Sequence, residues 1–221
     1  MATPAADSGR DPTLIEKAMT TETVEPQTPA YKLAKVVGEI LAPWVVLVLL
    51  SLAVPWKATG YSIGYTLLWG FVIAFFCAAV PMAFIVRGAR KGDWDGHHVR
   101  NREGRVKPLI VCFASTAVGL AIMLTWKAPT DLVYMAIAML VSLVVTFAIT
   151  SWWKISLHAA VSGGGVATLA VVYGPVALLL LLVVALICWS RVVTGDHTTG
   201  QVTAGTALGF GITILTFVPT F

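Results

Sequence analysis

Residues 159–190 read AAVSGGGVATLAVVYGPVALLLLLVVALICWS, without a single Lys, Arg, Asp or Glu. A helix needs about 20 mostly apolar residues to cross roughly 30 Å of hydrocarbon. This stretch is too long for one crossing, and it breaks at Tyr173-Gly174-Pro175. Glycine after the end of one helix and proline at the start of the next give a stop and a start in consecutive positions. The spacing therefore predicts a hairpin of two short spans, 159–174 and 175–190. The runs are solid, without period-two alternation, which excludes the strands of an outer-membrane-type barrel.

Working outward, five more apolar runs cover 36–54, 65–86, 108–126, 131–153 and 202–219. The chain has 221 residues, 57% of them hydrophobic and 12% charged, with a mean hydropathy of +0.84. That composition excludes an ordinary soluble domain. The expected fold is all-α, a polytopic transmembrane helical bundle of six to seven spans, in a multi-pass protein of the cell membrane. Residues 1–34, rich in Ala, Thr, Pro and acids, bury too little to offset ordering and are expected to form a disordered tail, with the helical domain over 35–221. A long polar segment precedes the first span, so that span is expected to be an uncleaved anchor. Cys77, Cys112 and Cys188 fall inside apolar runs without metal-type spacing and are expected to be buried small side chains.

With seven spans, the N-terminus and the loops after the second, fourth and sixth share one side. That side carries 13 of the 15 Lys and Arg residues, leaving Lys57 and Lys127 opposite. The positive-inside rule makes it cytoplasmic. Setting aside Arg100, Lys107 and Arg191 as candidate ligand groups leaves 10 against 2, so the expectation survives.

Ionisable residues interrupt the apolar sequence at DWDGHHVRNREGRVKP (93–108), KISLH (154–158) and SRVVTGDHTTGQ (190–201). All three fall on that same side, and charges at a membrane boundary usually mark a site. A plain connecting loop requires only a turn residue or two. His158 and His197 stand among Arg100, Lys107 and Arg191, a set suited to an anion: Arg offers planar bidentate donors to phosphate oxygens. His197 also lies near the start of the last helix, where backbone amides and the helix dipole favour negative charge. A neutral imidazole can attack phosphorus, and a second His can protonate the departing oxygen.

Ser190-Arg191, five residues, His197, three residues and Gln201 resemble the third signature of the type 2 phosphatidic acid phosphatase superfamily, which carries Asp where Gln201 stands. Ile155-Ser156-Leu157-His158 keeps the Ser and His of the second signature, Pro-Ser-Gly-His. Arg100, six residues, Lys107-Pro108 matches the first with its two cations exchanged. The three occur in the family order over residues 100–201. The resemblance implies an integral-membrane phosphatase acting on a lipid phosphate or diphosphate. In that scheme His197 is the nucleophile that forms a phosphohistidine and His158 is the general acid. Arg100, Lys107, Ser156 and Arg191 bind the phosphate, and no metal or other cofactor takes part. Gln201 would orient His197 without the charge an Asp supplies, and Asp196, Asp93 or Asp95 is an alternative source of it. Reduced or absent activity is one expectation, because loss of an orienting Asp in a comparable triad costs orders of magnitude.

The expected partners are a membrane lipid substrate and the bilayer, with no nucleic acid. Headgroup transfer to a lipid alcohol, non-catalytic binding of a lipid phosphate, and haem ligation by the histidines are the alternatives. His97 and His98 read as a solvated loop pair, and Asp93 with Asp95 as a weak divalent-cation pair. The glycines at 163–165, 205 and 209 read as close helix packing, and the tryptophans, mostly near span ends, as an interfacial belt.

Overall fold

The computed structural model describes residues 28–93, 104 and 106–218. Among them the regular structure is entirely helical. The helices are α1 (Pro29–Ile40), α2 (Pro43–Ala58), α3 (Ile63–Ile73), α4 (Val80–Lys91), α5 (Val106–Thr125), α6 (Thr130–Thr150), α7 (Leu157–Tyr173), α8 (Leu181–Val193) and α9 (Thr199–Phe217). A π-helical segment, Ala74–Ala79, joins α3 to α4, and a 3₁₀ segment, Pro175–Leu180, leads into α8.

Five continuous helical stretches are long and apolar enough to cross a membrane: Ile63–Lys91, Val106–Thr125, Thr130–Thr150, Pro175–Val193 and Thr199–Phe217. The pair α1 and α2, bent by 44°, makes a sixth if it is one broken span, and α7 is apolar but shorter. The chain is an all-α bundle of membrane type, and every apolar run of the sequence lies largely in helix. Its outer surface is greasy: Leu182, Leu215 and Leu179 are all highly exposed. Trp44, Trp126, Trp152 and Trp189 are exposed near helix ends, as an interfacial belt requires, whereas Trp69 is buried in the core.

Two expectations are corrected at the N-terminal end. Residues 29–34, assigned to the tail, form the first turns of α1. Thr28 caps them, its Oγ1 accepting the Tyr31 amide at 3.2 Å, Pro29 fits the first turn, and Tyr31 and Ala34 are buried. The run 36–54 is not one straight helix. Pro43 disfavours a helical conformation at the residue before it, and Ala42 is extended (φ −61°, ψ 152°), which ends α1 and restarts the chain as α2.

Pro81 explains the π segment. Proline has no amide hydrogen and its ring crowds the carbonyl four residues back, here at Cys77, inside the widened turn. Ser115 Oγ of α5 donates to the Phe76 carbonyl at 2.5 Å, satisfying an oxygen in the loosened ladder. At the opposite end, α7 stops where Gly174 takes φ 96°, and Pro175 begins the next segment, as the hairpin reading requires.

The tightest packing joins α7 to α9, and glycine makes it. A methyl group at Gly163 would lie 2.7 Å from the Thr206 carbonyl, one at Gly205 would lie 2.6 Å from the Ser156 carbonyl, and one at Gly209 would run into the Ala160 carbonyl. The start of α7 is thereby pressed against the start of α9, and the Ser156 amide donates to the Gln201 carbonyl at 3.4 Å.

Candidate functional site

The turn after α8 is built by its own sequence. Gly195 adopts φ 72°, the left-handed conformation that ends helices. The Gly195 amide donates to Val192 at 3.0 Å, and the amides of Asp196 and His197 both donate to the Arg191 carbonyl at 3.1 Å. The chain folds back over the end of α8, so the Asp196 carboxylate meets the Arg191 guanidinium in a buried ion pair. Thr194 Oγ1 donates to the same carboxylate oxygen at 2.8 Å. Arg191 and Asp196 are 4% and 8% exposed, so neither charge could stay there without the other.

α9 then opens with a reciprocal cap. Thr198 Oγ1 accepts the Gln201 amide at 3.4 Å, and Gln201 Oε1 accepts the Thr198 amide at 3.1 Å. This is the capping box, with glutamine in its third position. It consumes two of the amides that the sequence suggested for an anion. It also fixes a tautomer. The Gln201 oxygen that accepts the Thr198 amide lies 3.2 Å from His197 Nδ1. That oxygen can only accept, so Nδ1 carries the hydrogen.

On the other side, Ser156 caps α7: its Oγ accepts the Ala159 amide at 3.4 Å, and the residue is fully buried. His158, in the first turn of α7, is buried as well. One cavity of about 220 Å³ is lined by His158, Arg191, Asp196 and His197 together. Four of the residues singled out in the sequence therefore share one space, drawn from two segments far apart in the chain.

The other expected residues are placed differently. Gln201 stands behind His197, in contact with its ring nitrogen. Ser156 does not line the cavity, and its hydroxyl oxygen serves the helix cap. Lys107 is exposed in the first turn of α5 and does not line the cavity, although its neighbours Pro108 and Leu109 do. Arg100, Asp95, His97 and His98 lie outside the described residues, and Asp93 is exposed just past the end of α4.

Lys154 also lines the cavity and is half-buried. No signature position pointed to it. The signal available in the sequence was its place in KISLH, four residues before His158, on a connection too short to carry it far from that histidine. Among the described residues no three His, Cys, Asp or Glu side chains group as a metal site. Comparison with known protein families, characterised proteins and solved structures returns no match for this chain.

Proposed function

We propose that the chain is an integral-membrane lipid phosphatase, hydrolysing a lipid phosphate or diphosphate through a phosphohistidine on His197. One observation carries this reading: two histidines and two cations from separate segments, His158, His197, Lys154 and Arg191, line one cavity at the end of the bundle. The signature resemblance of residues 100–201 points the same way.

The chemistry follows from the tautomer. His197, with Nδ1–H held by Gln201, directs its Nε2 lone pair at phosphorus. The N–P bond forms as the bond from phosphorus to the lipid oxygen breaks, and His158, as imidazolium, gives its proton to that oxygen. Water then attacks phosphorus and passes a proton to His158, the N–P bond breaks, and inorganic phosphate leaves. Arg191 and Lys154 balance the charge on the equatorial oxygens in both transition states. Arg191 can do so while paired, because a guanidinium has five donors.

Gln201 favours a second reading, a lipid-phosphate binder with weakened turnover. An amide oxygen orients the ring but supplies no full charge to the imidazolium that forms. Release of inorganic phosphate from a long-chain alkyl phosphate and from phosphatidate, measured on the purified chain, separates the two. His197→Ala is expected to lower release by about a thousandfold or more, the scale of losing a nucleophile. Gln201→Glu, which puts a carboxylate at the same reach, is expected to equal or exceed the parent. Unchanged release in His197→Ala removes the proposed nucleophile, and binding without release by the parent selects the binder.

A further inference from the structure

The same cavity continues below the polar cluster into the middle of the bundle, and its depth can be read on three helices independently. On α7 it is lined from Leu157 to Thr168, on α6 from Thr146 to Met135, and on α5 from Pro108 to Thr116. At 1.5 Å of rise per residue these intervals span about 16, about 16 and about 12 Å. Below Met135 the helices close on Leu132 and Phe217, both fully buried and neither part of the lining.

The walls are mostly apolar. Thr168 turns its hydroxyl back to the Gly164 carbonyl of its own helix at 3.0 Å, so its methyl group is left for the cavity. The space is therefore charged at one end, where Lys154, Arg191 and both histidines stand, and mostly apolar for the rest, with Thr116, Ser142 and Thr213 as further polar side chains there. Its length is about half of the roughly 30 Å hydrocarbon thickness of a bilayer, which is the length of one lipid chain in one leaflet. Its volume, about 220 Å³, lies below the ~300–1,000 Å³ of sites that take drug-sized ligands.

We infer that this cavity is a tail-binding shaft: it takes the single hydrocarbon chain of a lipid phosphate into the bundle and selects single-chain phosphates over two-chain ones. The inference rests on the phosphate site proposed above for the head of the ligand. The depth matches one extended chain, and a volume of about 220 Å³ over that depth holds no more than one. A second chain has no room within that volume, so a diacyl lipid could seat its phosphate only with a chain turned back past the polar end.

The test uses the full chain in phosphatidylcholine vesicles and a long-chain alkyl phosphate with a diazirine at the chain end. After photolysis, adducts are mapped by mass spectrometry. The expected adducts fall on Met135, Thr116 and Thr168, and unlabelled alkyl phosphate competes for them while phosphatidate does not. Ala138→Phe fills the shaft from α6, where Ala138 is buried in the lining. It is expected to lower these adducts by about tenfold or more, the scale on which apolar pockets discriminate size. Ala138→Val is the milder companion and should give an intermediate yield. Adducts on outward residues such as Leu182 and Leu215, or equal competition by phosphatidate, would overturn the shaft. Adducts in the shaft without phosphate release by the parent overturn the hydrolase reading and leave the shaft standing. Release with adducts only outside does the reverse.

Discussion

Two connections in this bundle solve the same reversal of chain direction with different means. Between α2 and α3 the turn at 59–62 closes with backbone bonds: Thr59 to Pro55 at 2.9 Å, Gly60 to Lys57 at 3.0 Å and Tyr61 to Trp56 at 2.8 Å. Gly60 and Tyr61 both take positive φ, and both are exposed. Between α8 and α9 the turn at 194–198 closes with an equivalent set of backbone bonds and one positive-φ glycine. It then adds a buried ion pair, a reciprocal cap and a histidine of fixed tautomer. The reversal needs none of these additions, and buried charge costs several kcal/mol per ion in desolvation. Residues that a turn can do without, held at such a cost, are the ground for proposing a binding or catalytic surface at this end of the bundle.

The comparison can be broken from the chemical side first. Loss of about a thousandfold in phosphate release on His197→Ala, set against no change on Tyr61→Phe in the opposite turn, is the largest contrast expected. Next is stability. Asp196→Ala leaves the Arg191 charge buried without its carboxylate, and should cost about 3–5 kcal/mol, read as a drop in the detergent-solubilised melting temperature. A cost near zero would make the two turns equivalent.

A smaller effect is expected at Gly38 of α1, distant in sequence from every motif. A methyl group there would lie 2.7 Å from Arg191 Nη1, and that guanidinium is already pinned by Asp196. Gly38→Ala should therefore displace the Arg191 guanidinium and, on the proposed function, lower phosphate release about tenfold to a hundredfold, the scale of a small misplacement. The melting temperature should fall less than in Asp196→Ala, because the ion pair is displaced and not removed. Equal loss of stability and activity would reduce Gly38 to a packing position. The smallest effect belongs to the plain side of the comparison. Lys57 Nζ lies 5.2 Å from the centre of the Tyr173 ring, and Lys57→Ala should cost under about 1 kcal/mol, with phosphate release unchanged.

The helices were legible because apolar run length maps directly onto span length, and the Gly174-Pro175 punctuation marked the hairpin. The break at Ala42 was less so. Hydropathy runs smoothly from 36 to 54 while the backbone constraint comes from Pro43 alone. In the candidate site, His158, His197 and Arg191 stood out because ionisable groups are rare in this chain. Asp196 stood out as a source of charge for His197, but its pairing with Arg191 was not legible, since it reaches the guanidinium only after Gly195 folds the chain back, a contact outside the spacings that helix periodicity teaches. Lys154 had no motif to announce it, and Lys107 had one yet stands exposed.

Composition and the order of apolar runs determined by themselves that this chain is a helical membrane protein with its ionisable residues gathered at the ends of its helices, because each helix satisfies its own backbone in hydrocarbon. The placing of His158 and His197 on one cavity, the closeness of Gly38 to Arg191 and the depth of that cavity were decided only in three dimensions. Each depends on how closely neighbouring helices approach, and that distance is set by side chains from two helices at once, which no single stretch of sequence contains.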